Sequence, residues 1–212
     1  MLRRRHFNWT LLALASWGFA APVTAASGQR ILVVGDSLSA EYGLARGTGW
    51  VALLQKQLDK EKPGVVVINA SISGDTTSGG RSRLPALLQR HRPSHVVIEL
   101  GGNDALRGLP MAMTQDNLLA MTKQAQAAGA QVLLLGMQMP PNYGPEMARQ
   151  FEAAYAQVAR SQKAALVPFF LKGVGDDAEP LKWFQADRIH PNEAAQPRML
   201  ANVWPTLSKQ LK

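Results

Sequence analysis

Short apolar runs, mostly of β-branched residues, alternate along the chain with longer stretches in which apolar positions recur at helical spacing. The apolar runs lie at 31–34, 65–69, 95–100, 131–136 and 165–168, and such short runs are typical of buried strands. Helical periodicity lies between or after them, at 50–60, 84–91, 114–128, 146–163 and from 192 or 193 to 211. Strands that are apolar throughout favour a parallel sheet covered by helices on both faces. The pattern therefore predicts one α/β domain with about five strands, and it places Pro85 in the first turn of the second helix, where proline is tolerated.

The first 26 residues have a different pattern from the rest. Three arginines at positions 3–5 precede an apolar run at 9–21, and small residues follow through Ala26. A basic start, a short apolar core and a small-residue site are typical of a cleaved secretory signal peptide. The alternative is a retained membrane anchor, but the run is shorter than the roughly 20 apolar residues of a spanning helix. We therefore expect a signal peptide at 1–26, a periplasmic or secreted protein, and a single domain at 27–212.

The composition removes several classes of site and partner. The chain has no cysteine, which excludes disulfides, a thiol nucleophile, cysteine-ligated zinc and a lipidated cysteine. The formal net charge is +8, and without the three arginines at positions 3–5 it is about +5. The basic residues are scattered and not interleaved with aromatic ones, so nucleic-acid binding is not expected. The charge is compatible with an anionic substrate or with transient contact with a membrane surface. We expect a monomer without metal or other cofactor.

Three polar motifs each follow a predicted strand. They are GDSLS at 35–39, SGD at 73–75 and GGND at 101–104. Functional residues of parallel sheets gather beyond the carboxyl ends of the strands, so we expect these three segments to meet at one edge. A fourth motif, DRIHPN at 187–192, precedes the last predicted helix. Each motif is weak evidence alone, but their order and placement together indicate an active site.

The four motifs hold the groups needed for acyl transfer through a covalent intermediate. Ser37 is the candidate nucleophile, His190 the base, and Asp187 the group that orients the base. The backbone N–H groups of Ser37 and Gly74 and the side-chain amide of Asn103 are candidate oxyanion donors. Taken singly, Ser37 could cap a helix and Asn103 a turn. Their occurrence together favours catalysis.

We expect the other polar residues near these motifs to have no direct part in catalysis. Asp36 is expected to face away from the cleft and to hydrogen-bond local backbone. His91 and His95 flank the entrance of the third strand, at the opposite edge of the sheet. The D-x-x-H spacing could also begin a metal site, but no further cluster of ligands accompanies it. The glycine-rich segment at 173–178 opens no convincing helix, so we interpret it as a flexible loop rather than a dinucleotide site.

With these motifs the sequence resembles the SGNH (GDSL) hydrolase superfamily, above all its bacterial periplasmic multifunctional esterases. The similar segments include GDSLSAEYGL, NASISGDTTSGG, ELGGNDALRG and DRIHPNEAAQP, and they extend over essentially the whole chain after the leader. The resemblance implies a flavodoxin-like three-layer α/β/α sandwich with a central parallel sheet. It also implies cofactor-free hydrolysis of acyl esters and thioesters, including lysophospholipids, acyl-CoA and aryl esters.

The same resemblance implies which loops border the acyl group. The candidate substrate-binding residues are Asp75, Thr76, Pro140, Asn142 and Tyr143. Two positions depart from the superfamily pattern, since Glu41 and Arg188 stand where glycine is common. Glu41 is expected to alter the mouth of the cleft, and Arg188 the surroundings of Asp187.

Two other functions are compatible with the same motifs. The same catalytic groups could deacetylate polysaccharides, but the chain has no added carbohydrate module and few aromatic residues for stacking on sugars. A catalytically silent relative that only binds lipids would typically lack one of the three catalytic residues, and none is missing here.

Overall fold

A five-stranded parallel sheet lies at the centre of the computed structural model, which describes residues 28–139 and 143–211. The predicted signal peptide lies outside these residues. The strands are β1 (Arg30–Gly35), β2 (Val66–Asn69), β3 (His95–Glu99), β4 (Gln131–Leu135) and β5 (Ala165–Val167). Their order in the sheet is β2-β1-β3-β4-β5, and every neighbouring pair is parallel. The predicted parallel sheet of about five strands is confirmed.

Helices cover both faces of this sheet. In the described part of the chain the α-helices are α1 (Trp50–Glu61), α2 (Thr77–His91), α3 (Gly102–Leu106), α4 (Met111–Ala127), α5 (Pro145–Gln162) and α6 (Gln196–Leu207). Helices α1 and α6 pack on one face, and α2, α4 and α5 pack on the other. The predicted three-layer α/β/α sandwich is therefore confirmed. Within residues 28–139 and 143–211, no helix is long and apolar enough to cross a membrane.

Strand β1, which lies between β2 and β3, shows why the run at 31–34 is apolar throughout. Ile31 and Val33 point into the core formed with α1 and α6, whereas Leu32 and Val34 point into the core formed with α2, α4 and α5. All four side chains are fully buried. Because both faces of the strand are covered at these four positions, none of them is left for a polar side chain.

Helix α2 is longer than predicted. It begins at Thr77 rather than at position 84, so Pro85 lies in its interior and not in its first turn; that prediction is wrong. The helix starts early because the Thr76 hydroxyl caps it by accepting a hydrogen bond from the Gly79 N–H. The glycines that made the segment look non-helical serve close packing instead, since a β-carbon on Gly80 would lie 2.3 Å from Leu100 Cδ1.

The last helix is shorter than predicted. A 3₁₀ turn at Glu193–Ala195 comes first, and α6 follows with Pro197 in its first turn. The Asn192 side chain caps the 3₁₀ turn by accepting from the Ala195 N–H. The loop before it, which carries the fourth motif, is tied down by an antiparallel bridge between Phe184 and Pro191.

Candidate active site

Ser37 stands in the tight turn that follows β1. The carbonyl oxygen of Asp36 accepts hydrogen bonds from the N–H groups of Ser39 and Ala40, at 3.2 and 2.9 Å. The carboxylate of Asp36 accepts from the Leu38 N–H at 3.0 Å. This turn reverses the chain immediately after the strand and leaves the half-buried Ser37 at the carboxyl edge of the sheet. The expected contact of Asp36 with local backbone is present, but the expectation that Asp36 faces away from the cleft is wrong, because Asp36 lines the cavity beside Ser37.

His190 lies between Ser37 and Asp187. Its Nε2 is 2.9 Å from Ser37 Oγ, and its Nδ1 is 2.7 Å from Asp187 Oδ2. The other carboxylate oxygen of Asp187 accepts the N–H groups of Ile189 and His190, each at 3.0 Å. The carboxylate is thus fixed by its own loop while it holds the imidazole. The structure brings together all three residues proposed from the sequence as nucleophile, base and orienting group.

The protonation of this trio follows from the hydrogen bonds. The N–H group of His190, and then that of Ile189, lower the pKa of Asp187 to about 2. An ionised carboxylate can only accept, so the Nδ1 of His190 carries the proton and donates it toward Asp187. In the neutral imidazole the Nε2 is then the acceptor for the Ser37 hydroxyl. The ring of Tyr42 packs against His190 with 4.3 Å between centroids and limits its rotation.

Two backbone N–H groups are available beside Ser37. Gly74 has a φ of +78°, a conformation that glycine adopts without steric cost. Its carbonyl accepts from the Arg107 guanidinium at 2.7 Å, which holds this loop in place. Within residues 28–139 and 143–211, neither the Ser37 N–H nor the Gly74 N–H donates a hydrogen bond. Both groups are therefore free to donate, and of the two residues Ser37 lines the cavity described below whereas Gly74 does not.

The amide of Asn103 reaches the same area but is already engaged. Its Nδ2 donates to Asp36 Oδ2 and to the Asp75 carbonyl, both at 2.9 Å. Asn103 lies in α3, and the next residue, Asp104, is fully buried and accepts from the Thr77 N–H at 2.9 Å. These bonds fix α3 against α2, so the amide has one orientation. To serve an oxyanion, the Asn103 amide must give up one of these two protein acceptors and donate that N–H group to the substrate oxygen.

A cavity of about 680 Å³ opens beside Ser37 and His190. Its walls are mostly apolar, and its polar lining residues include Ser37, Asn103 and His190. The apolar side chains lining it include Leu38, Ala105, Leu106, Met137, Met139, Tyr143, Phe151, Phe169, Leu171, Phe184 and Ile189. A large apolar cavity with a few convergent polar groups is the usual form of a small-molecule site. In the described part of the chain, no group of three or more His, Asp or Glu side chains could hold a metal ion.

Comparisons with known proteins identify the family. Residues 33–197 match the GDSL-like Lipase/Acylhydrolase family. The chain belongs to this family. It is 58% identical over 186 residues to the esterase TesA of Pseudomonas aeruginosa, covering 88% of this chain and 91% of that one. It is 43% identical over 194 residues to thioesterase 1/protease 1/lysophospholipase L1 of Escherichia coli strain K12, covering 92% and 88%.

A solved structure supports the same assignment. The crystal structure of TesA superposes with a TM-score of 0.83 at 58% sequence identity, over 86% of this chain and all of that one. The prediction of a serine hydrolase of the GDSL family that acts on acyl esters is confirmed at this level. The individual site residues remain assigned from their geometry.

The candidate substrate-binding residues of this GDSL hydrolase differ in their position relative to the cavity. Tyr143 lines the cavity, and Pro140 and Asn142 lie outside the described residues. Asp75 and Thr76 do not line it. The Asp75 carboxylate pairs with Arg83 at 2.8 Å, and Thr76 caps α2. Their side chains support the loop that carries Gly74 rather than facing the cavity.

Glu41 and Arg188 both have left-handed backbone, with φ of +59° and +60°. This conformation favours glycine and explains the glycine of the GDSL pattern at these positions. Glu41 does not line the cavity; its carboxylate accepts the N–H groups of Gly47 and Gly49 at 2.9–3.1 Å. The expected effect of Glu41 on the cleft mouth is therefore absent. Arg188 does line the cavity, and its side chain is exposed there.

Several residues at the site were not singled out from the sequence. The loop at 173–178 contributes Gly175 and Asp176 to the cavity wall. Tyr42 packs on His190, and Arg107 holds the Gly74 loop. Glu99 is fully buried at the end of β3. A signal for Glu99 exists in the sequence, because it is a charged residue that closes an otherwise apolar strand.

Proposed function

We propose that this protein is a serine esterase that hydrolyses acyl esters and thioesters through an acyl-enzyme on Ser37. The observation that carries the proposal is the chain of hydrogen bonds from Asp187 through His190 to Ser37, at 2.7 and 2.9 Å, beside an apolar cavity. A hydroxyl is a weak nucleophile unless a base takes its proton, and this geometry provides that base.

In the proposed reaction Ser37 Oγ attacks the acyl carbonyl carbon while its proton passes to His190 Nε2. The Asp187 carboxylate, accepting the Nδ1 proton, stabilises the imidazolium that forms. The carbonyl oxygen becomes an oxyanion that accepts from the N–H groups of Ser37 and Gly74. When the carbonyl reforms, the alcohol or thiol leaves with the proton from His190. A water molecule then gives a proton to His190 and attacks the acyl carbon, and Ser37 recovers its proton as the acid departs.

Asn103 supplies the third donor to the oxyanion in this proposal. Its N–H on the Asp75 carbonyl is the one we assign to the substrate, because the other is held by the carboxylate of Asp36. An oxyanion is a stronger acceptor than a neutral carbonyl, so the exchange is favourable in the transition state. This donor would then act mainly on the transition state, which raises turnover rather than substrate affinity.

The cavity supports a fatty acyl chain as the group bound next to Ser37. Its walls are built from aromatic and aliphatic side chains, and its volume of about 680 Å³ exceeds what an acetyl group fills. Substrates of this kind include lysophospholipids, acyl-CoA and aryl esters. With the predicted signal peptide, we propose an exported, monomeric enzyme that meets lysophospholipids and other esters outside the cytoplasm.

Chain-length dependence tests the acyl assignment. Each methylene that enters the cavity gains about 0.8 kcal/mol of burial, so kcat/KM should rise by up to about fourfold per methylene until the cavity is full. The measurement is hydrolysis of p-nitrophenyl esters of two to sixteen carbons. A rise to a maximum at medium or long chains is the expected result, whereas activity confined to the acetyl ester would indicate a carbohydrate deacetylase instead.

The rim of the cavity supports contact with a lipid surface. Leu106 and Ile189 line the cavity and are 52% and 51% exposed. Each stands next to an exposed arginine, Arg107 and Arg188. Exposed apolar side chains flanked by cations are suited to the boundary of an anionic membrane. We propose that this rim touches the membrane while a single-chain lipid enters the site.

Vesicle binding tests this contact without turnover when Ser37→Ala protein is used. We expect co-sedimentation with vesicles that contain anionic lipid, and a several-fold lower bound fraction when Leu106→Ser and Ile189→Ser are added. The matched control is Val66→Ser, which removes an equally exposed side chain (50%) from the start of β2, at the opposite edge of the sheet. Equal binding by the rim and control variants would contradict the proposed surface.

A further inference from the structure

A buried carboxyl group that the proposed reaction does not use lies directly beneath the Ser37 turn. Glu99 is 1% exposed. Its Oε2 accepts from the Ser39 hydroxyl at 2.7 Å and from the Asp36 N–H at 3.3 Å. The Ser39 hydroxyl in turn accepts from the indole N–H of Trp50 at 3.1 Å. Burying a carboxyl group costs free energy, so a neutral or well-paired arrangement is required here.

The first residue of the GDSLS motif makes room for this group. A β-carbon on Gly35 would lie 2.8 Å from both Glu99 Oε2 and Ser39 Oγ. The glycine and the second serine of the motif therefore both serve Glu99. The end of β1 thus carries the nucleophile turn, and the neighbouring end of β3 carries the carboxyl group packed against it.

Glu99 is also connected to the oxyanion side of the site through Asp36. The Asp36 N–H donates to Glu99 Oε2 at 3.3 Å, and the two carboxyl groups lie close enough to affect each other's pKa. The hydrogen bonds of the Asp36 carboxylate go to the Leu38 N–H and to the Asn103 amide. A continuous path therefore leads from Glu99 through Asp36 to Asn103.

Both carboxyl groups of the pair hold a proton more readily than exposed carboxyl groups do. Burial, and then the negative charge of Asp36, raise the pKa of Glu99 well above its usual range. Burial raises the pKa of Asp36 to about 6, against the opposing effect of the Leu38 N–H and the Asn103 amide. These shifts favour one proton shared by the two carboxyl groups, and a proton on Glu99 can be donated to the Asp36 carboxylate.

The other charged and titratable groups around the pair lie on several elements. Tyr155 of α5, whose pKa burial raises, lies close enough to Glu99, Asp36 and Asp104 of α3 for their negative charges to raise it further. His190 has the opposite effect on Asp36, whose pKa it lowers against the effect of burial. Arg83 of α2 donates to the Gly35 carbonyl at 3.3 Å. Near neutral pH, Tyr155 is neutral because burial raises its pKa well above 10.0. When Glu99 carries the proton of the pair, the negative charge of the pair lies on Asp36.

We propose that Glu99 is a positioning residue for the oxyanion hole: as a neutral carboxylic acid it holds Asp36, and Asp36 holds the Asn103 amide toward the substrate oxygen. The inference rests on the serine esterase function proposed above. Ionisation of Glu99 would place a second negative charge behind a site that must stabilise an oxyanion, and preorganised donors lose effect when the local potential turns negative. Turnover should therefore fall at alkaline pH as Glu99 loses its proton.

Glu99→Gln and Glu99→Leu test the proposal, with kcat and KM measured on one ester from pH 7 to 10. Glutamine copies the neutral acid, with an oxygen for Ser39 and an N–H for Asp36, so we expect kcat at pH 7 within about threefold of the unsubstituted protein. It should keep this value at alkaline pH, where the unsubstituted protein declines. Leucine leaves Asp36 without its donor, so we expect a 10- to 100-fold lower kcat with KM within about twofold.

If Glu99 had only a structural role, its variants would give different kinetic results. Glu99→Gln profiles that decline with the same alkaline midpoint as the unsubstituted protein, or a Glu99→Gln loss as large as that of Glu99→Leu, would overturn the proposal. If Glu99→Leu does not fold, the Glu99→Gln profile alone decides. Glu152→Gln makes the same change at an exposed position of α5 and should alter nothing. Activity that survives Ser37→Ala would instead reject the serine esterase itself, so the two failures are distinguishable.

Discussion

Ser37→Ala should lower kcat on p-nitrophenyl esters by about 10⁴- to 10⁶-fold, and His190→Ala by nearly as much. The reason is that His190 acts by removing the proton of Ser37, so the two residues work as one unit. The double variant should be no worse than either single variant, because the second change removes nothing that still functions. Steady-state kinetics on purified, folded proteins measures all three.

The matched control for this series is Ser161→Ala, which makes the same change in α5, where the hydroxyl donates to the Val158 carbonyl and accepts from the neighbouring Gln162 side chain. Its activity should equal that of the unsubstituted protein. A loss of only a few-fold in Ser37→Ala, or losses that multiply in the double variant, would show that Ser37 and His190 do not form one nucleophile–base pair.

Asn103→Ala should lower kcat by about 10²- to 10³-fold, as removal of one oxyanion donor does in serine hydrolases. KM should change little, since in the ground state the amide bonds to Asp36 and to the Asp75 carbonyl rather than to substrate. The separation of kcat from KM is the measurement that distinguishes an oxyanion donor from a residue that binds the acyl group.

Asn202→Ala is the matched control for Asn103→Ala. Its amide also makes two hydrogen bonds, to the carbonyls of Phe170 and Lys172, but it lies on α6 and does not line the cavity. We expect unchanged kcat there. If Asn103→Ala raised KM and left kcat intact, the assignment of this amide to the transition state would be wrong.

The carboxyl edge of the sheet explains why the catalytic residues could be proposed from the sequence. Ser37 and Asn103 follow β1 and β3, which are neighbours in the sheet, and a parallel sheet brings such positions together whatever lies between them in sequence. His190 was the remaining histidine on the correct side, because His95 begins β3 at the opposite edge. Its ring bonds to the Gln210 carbonyl there.

Other features depend on contacts that a linear pattern does not contain. Gly80 lies in α2 because the helix approaches Leu100 closely, whereas helix propensity alone disfavours it. Asp75 was proposed as a substrate contact, but Arg83, eight residues later on α2, pairs with its carboxylate. Glu99 could be seen as unusual within its strand, but its partner Asp36 lies 63 residues away. Such pairings follow from the packed structure and not from local spacing.

The measurement that tests the central claim most directly is the site of covalent modification by a serine-directed organophosphorus reagent. The protein is treated with diethyl p-nitrophenyl phosphate, digested, and its peptides are analysed by mass spectrometry. The account predicts one diethylphosphoryl group, located on Ser37, and a far slower reaction in His190→Ala. Modification at another serine such as Ser39 or Ser71, or no modification of an active enzyme, would contradict it.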